Sequence, residues 1–143
     1  FIGNITPNRK AFFEEVRVPV ENIFGVSNEE LFDAHTRSKI GINLSTNDND
    51  PRRKTQMKQR MFEIPAGSGL LLTEHHDAIE DFFEIDKEIV TFKTIDEFNK
   101  KCEFLLRNPK IVKKIADNGY KRFIKDHHSK VRLREVLKEI EKC

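Results

Sequence analysis

Two side chains of opposite charge, Arg60 and Glu63, stand three residues apart just ahead of a run of three leucines. On a helix that spacing puts them on one face. Met61, Phe62, Ile64 and Ala66 around them are apolar. Pro65 removes a backbone donor, and Gly67, Ser68 and Gly69 allow positive φ, so the pattern predicts a helix that ends in a tight turn there. Leu70, Leu71 and Leu72 form a short continuous apolar run, which suits a strand covered on both faces. An ionised pair on a helix that runs into a glycine turn beside a buried parallel strand is a ligand-binding arrangement of open α/β sheets, whose crevice lies outside the carboxyl ends of the strands. The same Arg–Glu spacing also describes a solvated surface pair worth a few tenths of a kcal/mol, so spacing alone leaves both readings open.

A second candidate lies at the start of the chain. Phe1 to Asn4 reads as a strand ending in a glycine turn at Gly3, and residues 5–10 read as a loop leading into a short helix over Lys10 to Val16. Such a loop is an anion site in waiting, because free backbone N–H groups and the helix dipole both favour negative charge. Arg9 and Lys10 add side-chain donors. A lone glycine is far from a phosphate-loop fingerprint, so this signal is weak taken alone. The basic group Arg52, Arg53, Lys54 and Lys58 is either a solvated run or a means of drawing an anionic ligand toward the helix that carries Arg60.

Other groups that suggest chemistry do not sustain it. Asp48 and Asp50 alternate with Asn in a polar loop over Ser45 to Lys54, but no Gly at the turn and no Glu at loop position twelve support an EF-hand. His75 and His76 are adjacent and so point to different faces, which argues against a shared metal ion. His35 has no acidic or metal-binding partner by spacing and reads as a half-buried packing residue. No metal site is expected.

The elements that must position these groups are set by periodicity and caps. Residues 18–26 read as holding a second strand around Ile23-Phe24-Gly25. Ser27 with Glu30 is a capping box that opens a helix bearing Leu31, Phe32, Ala34 and His35. Ile40, Ile42 and Leu44 alternate as a strand, and Glu88 to Phe92 reads as another. Thr94 with Glu97 opens a helix with Ile95, Phe98, Cys102, Leu105 and Leu106 on one stripe. Asn108-Pro109 starts the next, with Ile111, Val112, Ile115, Ala116, Phe123 and Ile124 as its expected buried face; Leu133, Val136, Leu137 and Ile140 continue the helical pattern to the end. Strand and helix alternate through the first two thirds. The expected fold is therefore α/β: a Rossmann-like parallel sheet with helices on both faces and a helical C-terminal third.

Composition narrows the function classes. The chain has 143 residues, enough for a single α/β domain over 1–143, with 37% hydrophobic and 35% charged residues and a mean hydropathy of −0.61. A net charge of +2 lacks the basic excess of a general nucleic-acid or membrane-surface binder. Cys102 and Cys143 are far apart and form no disulfide framework or metal spacing, so a reducing, cytoplasmic setting is expected. No run approaches the roughly 18 apolar residues of a membrane span. The opening Phe1-Ile-Gly, already strand-like and without an initiator Met, suggests a piece of a longer protein.

Across residues 38–140 the sequence resembles a known family. Arg60-Met-Phe-Glu-Ile-Pro-Ala, then Gly69 and Leu70-Leu-Leu-Thr, is similar to the signature of glycosyltransferases of the spore-maturation-protein type, in the "glycosyl transferases group 1" branch with the GT-B fold. The likeness continues through Asp81-Phe-Phe, Glu88-Ile-Val, Asp96-Glu-Phe, Leu106-Arg-Asn-Pro, Ile115-Ala-Asp-Asn-Gly-Tyr-Lys-Arg-Phe, His127-His and Arg132. The resemblance implies the C-terminal, nucleotide-sugar-binding half of a two-domain enzyme. It implies that Glu63 holds the ribose hydroxyls, that Arg60 and Arg9 neutralise the diphosphate, and that the Gly67–Gly69 turn admits the ligand to the backbone. It also implies a nucleotide-diphosphate sugar as substrate, an acceptor of unspecified class, and no cofactor. A non-catalytic or truncated α/β module that binds a nucleotide or a protein is the alternative.

Overall fold

Alternation along the central strands decides which side of the sheet each helix covers. In the computed structural model, which describes residues 1–46 and 55–142, β1 (Ile40–Asn43), β2 (Leu70–Glu74) and β3 (Val90–Phe92) form a parallel sheet in the order β1-β2-β3. Ile40 is opposite Leu70, Asn43 opposite Thr73, and Leu72 opposite Val90. Because side chains alternate along a strand, Ile42, Leu70, Leu72, Val90 and Phe92 share one cluster while Leu71 belongs to another. The run of three leucines is thus buried on both faces. Each is fully buried, contributing roughly 1.5–3 kcal/mol relative to exposure.

On the first face lie α4 (Ile95–Arg107), through Phe98, Cys102 and Leu105, and α5 (Pro109–Arg122), through Val112, Ile115 and Ala116. The helix α1 (Pro7–Glu14) adds Phe12 and Phe13, and Phe12 stacks edge-on against Phe98 at 5.1 Å. On the second face, α3 (Arg60–Ala66) packs Met61 and Ile64 with Ile79 of a 3-10 turn (Asp77–Asp81), Phe83 and Ile89. A Cβ at Gly41 would lie 2.7 Å from Ile64 Cγ2, so glycine in β1 is what lets α3 sit this close. Cys102 is inert core: burial pushes its thiol up to about 12.

Several expected elements form differently. The strand-like segments at Phe1–Asn4 and around Ile23 do not join the sheet; they meet each other in a single parallel bridge, Ile2 to Ile23. Gly3 at φ +146 ends the extended stretch at once. The first helix starts at Pro7 rather than Lys10, because Thr6 caps it, accepting from the Arg9 N–H at 3.5 Å, and Pro occupies its first turn. The capping box of α2 (Asn28–Arg37) forms as expected, with Ser27 and Glu30 bonded reciprocally. In α5 and beyond, Ile111 and Ile124 are exposed rather than buried, and so are Leu133, Val136, Leu137 and Ile140 of α6 (Ser129–Ile140). Between α5 and α6 the chain makes a π-turn, Phe123–His127, closed by the His128 N–H donating to Phe123 O at 2.8 Å.

At the carboxyl edge of the sheet, the fully buried Asn43 donates to Ser45 Oγ at 3.0 Å and to Thr73 Oγ1 at 2.9 Å. Glu74 accepts from both the backbone N–H and the hydroxyl of Thr46, at 2.7 and 3.1 Å. Asp48, Asp50, Arg52, Arg53, Lys54 and Cys143 lie outside the described residues. Among the described residues, no helix is long and apolar enough to cross a membrane.

Candidate functional site

Arg60 and Glu63 belong to the first turn of their helix, not its last. Residues 55–59 are not helical, α3 begins at Arg60, and it runs through Pro65 to Ala66 before capping at Gly67. The helix dipole therefore favours Glu63 and disfavours Arg60. Since β1 and β2 are parallel, the chain leaving the carboxyl end of β1 must return to the amino end of β2. The first turn of α3 faces the carboxyl side of the sheet, and the turn at Gly67–Gly69 lies about 10 Å away, one helix length, at the amino side.

The guanidinium of Arg60 lies over the Phe1 ring, 4.9 Å from its centroid, and that of Arg9 lies over the same ring at 5.5 Å. Gly3 closes this arrangement from the side, since a Cβ there would be 2.9 Å from Arg60 Nη2, and its φ of +146 independently favours glycine. Arg9 is steadied by a bond from its Nη1 to Asn4 O at 2.8 Å. Arg60 Nη1 is buried and makes no hydrogen bond. Burial and the neighbouring charge of Arg9 both lower the Arg60 pKa, opposed by Glu63. The Glu63 carboxyl is raised by burial, against the pull of Arg60. Phe1, Gly3, Arg9, Arg60 and Glu63 thus form one unit with two cations crowded together and one half-buried carboxylate beside them.

The other expected site residues lie elsewhere. Lys10 is on the surface, 4.0 Å from Glu14. In the turn it is Ser68, not a glycine, that adopts the left-handed conformation, at φ +61. Gly67 and Gly69 are small for packing: a Cβ on Gly67 would be 2.8 Å from His35 Cβ, and one on Gly69 would be 3.3 Å from Ile64 Cγ2. Ser68 instead lines a cavity of about 330 Å³ at the amino edge, with Lys39, Leu105 and Lys113.

His35 is a member of the site neighbourhood that spacing did not reveal. It is buried rather than half-buried, at 2% exposure, and its Nε2 has no hydrogen-bond partner. Burial first and the Arg60 charge second lower its pKa to about 4. Its place behind Gly67 was hidden because it depends on α2 and α3 packing together, across 32 residues of sequence. Phe1 as a platform for two guanidiniums was equally hidden, since an aromatic residue in a strand-like opening reads as core. His75 and His76 do diverge, His76 being buried with Nε2 3.5 Å from Met61 Sδ.

A three-stranded parallel sheet flanked by helices, with charged groups gathered where α1 and α3 begin, is a Rossmann-like α/β arrangement. A family model described as glycosyl transferase-like matches residues 3–138, and the chain belongs to that family. Among solved structures it is similar to the C-terminal domain of a glycosyl transferase group 1 family protein, LpcC, from Francisella tularensis, with a TM-score of 0.59 at 16% identity. The match covers 85% of this chain and 65% of that one, a likeness of fold. No curated protein matches the chain.

Proposed function

We propose that this chain is the donor-binding domain of a two-domain glycosyltransferase, and that a nucleotide-diphosphate sugar binds at the Arg9–Arg60–Glu63 unit. The observation that carries the proposal is the buried Nη1 of Arg60, which has no hydrogen-bond partner and stands beside a second guanidinium. Leaving a buried charged donor unmade is costly, and an anion that takes bonds from both arginines removes that cost. In sugar transfer the bond between the anomeric carbon and the diphosphate oxygen breaks, with its electron pair staying on the diphosphate. Two cations held in place before the reaction stabilise that developing charge. Glu63 in the first turn of α3 accepts from the two ribose hydroxyls, with Gly3 leaving room for the Arg60 guanidinium beside it. The sugar passes to an acceptor held with the help of a second domain.

Calorimetric titration of UDP, GDP and their sugar conjugates into the wild-type protein and Glu63→Ala tests this. Removing charge-assisted hydrogen bonds is expected to cost about 1.5–3 kcal/mol, roughly ten- to a hundredfold in affinity. Equal affinity in the two proteins rules out the ribose role. Saturable nucleotide binding without sugar transfer by the complete protein favours a non-catalytic module instead.

A further inference from the structure

The helix that carries Arg60 and Glu63 has little of its own to fix its orientation. It is seven residues long, has no side-chain bond at its N-cap and contains Pro65; a helix that short is marginal without tertiary packing. Met61, Ile64 and Pro65 are buried, which fixes its depth against the sheet. Phe62, the residue before Glu63, adds contacts on a further side of the helix. The Phe62 ring lies 5.1 Å from His127, 5.8 Å from Phe82 and 5.9 Å from Phe83, and His127 lies 4.9 Å from Phe83.

His127 reaches this cluster because α5 ends in a π-turn. Such a turn adds one residue to the helical circuit, rotating the residues after it by about 100° relative to an uninterrupted α-helix. The turn is braced by Arg122, which donates to Glu88 at 3.1 Å and to Asp126 at 2.7 Å. It is also braced by the close seating of Gly119, where a Cβ would be 2.5 Å from Glu88 O. His127 Nε2 is 2.8 Å from Phe82 O, so Nε2 carries the proton and donates. Nδ1 is buried without a partner. π-turns are rare and recur at functional sites.

We propose that His127 is a positioning residue. By bonding Phe82 O while packing on Phe62, it sets the roll of α3 and hence the direction in which Arg60 and Glu63 emerge. The ligand side of this inference rests on the donor-site reading above; the geometric side does not.

Three variants test it in the full chain: His127→Leu fills the space without a donor, His127→Asn is too short to reach Phe82 O, and His127→Gln keeps an N–H that can reach. Without ligand, the Glu63 carboxyl is followed by carbon NMR as pH is varied. Its midpoint is expected to fall toward 4.5 in the Leu and Asn variants and to stay near the wild-type value in Gln. UDP and GDP are then titrated into each variant with and without Glu63→Ala. Affinity is expected to fall about tenfold in Leu and Asn, and by a smaller factor once Glu63 is already absent, as coupled positions behave, the remainder passing through Arg60. An unmoved Glu63 midpoint in a folded Leu or Asn variant overturns the proposal, as does an equal loss of affinity in the Glu63→Ala background. If the wild type binds neither nucleotide, the donor-site reading fails and the ligand-free titration still decides the role of His127. Should Leu prevent folding, the Asn–Gln comparison decides alone.

Discussion

Replacing Arg60 by Met is expected to leave the empty protein as stable as before, or more so, while removing its affinity for nucleoside diphosphates. The Arg60 and Arg9 guanidinium carbons lie 4.9 and 5.5 Å from one ring centroid, so they are no more than about 10 Å apart. At an effective dielectric of about 20 their repulsion is about 1.7 kcal/mol, and nearer 1 kcal/mol after solvent screening of half-exposed groups. The unmet Nη1 adds a burial cost of about 1–3 kcal/mol. Against these stands the cation–π contact with Phe1, about 0.5–2 kcal/mol, which Met partly restores through its own sulfur–ring contact. Losing the attraction of Glu63, which opposes the other effects at Arg60, takes back about 0.2–1 kcal/mol. The balance is a gain of about 0–3 kcal/mol, or a rise in Tm of up to about 9 °C for a chain of this size. Thermal denaturation monitored by circular dichroism measures it, and the same scans with saturating UDP or GDP should raise the Tm of the wild type but not of the variant. A fall of more than about 1.5 kcal/mol in the ligand-free variant refutes the reasoning, because it would make Arg60 a cation already satisfied by the fold.

The geometry gives two further expected outcomes. Gly119→Ala must push α5 off the Glu88 carbonyl, 2.5 Å from the new methyl group. Overpacking of about 1–3 kcal/mol, less about 1 kcal/mol of improved helix propensity, gives a Tm lower by up to roughly 6 °C, while a raised Tm shows that α5 is not seated there. The pKa of His35, lowered to about 4 from 6.5, means the unfolded chain binds a proton in that interval that the folded chain refuses. Stability is therefore complete above pH 6.5 and declines as pH falls toward 4. In His35→Gln that part of the acid sensitivity should disappear from denaturant titrations; an identical pH profile in the two proteins would show that His35 protonates freely in the fold.

The parts of this structure that were legible in the sequence are those fixed by local chemistry. The Ser27–Glu30 box, the Thr94 cap, the alternation through Ile42 and the Leu70–Leu72 run each form where the sequence places them. Arg60 and Glu63 share a helix as expected, but on its first turn, because residues 55–59 contribute no helical turn ahead of Arg60. The glycines around Ser68 misled for a physical reason. Glycine signals either φ freedom or lack of bulk, and only packing partners tell these apart: Gly67 is small for His35, whereas Ser68 takes the strained angle. Lys10 and Arg9 are adjacent in sequence yet about 100° apart around α1, so only Arg9 reaches Phe1. The π-turn was not legible because Arg122, which pairs locally with Asp126, is also held by Glu88, 34 residues away in sequence.

The buried amide of Asn43 bears on how the chain finds its pairing. On the face that carries Ile40, Ile42, Leu70 and Leu72 the side chains are nearly alike, and hydrophobic contact on that face alone would tolerate a slide of two residues, which keeps every side chain on its own face. Such a slide would set Asn43 opposite Leu71, away from Thr73, its partner in the native register. The Asn43 bond to Ser45, two residues along the same chain, would move with it, but the bond to Thr73 would be lost, at a cost of about 1 kcal/mol. Asn43 thus works as a proofreading device: it adds little to the stability of the correct sheet and penalises the misaligned one while the two strands are still choosing.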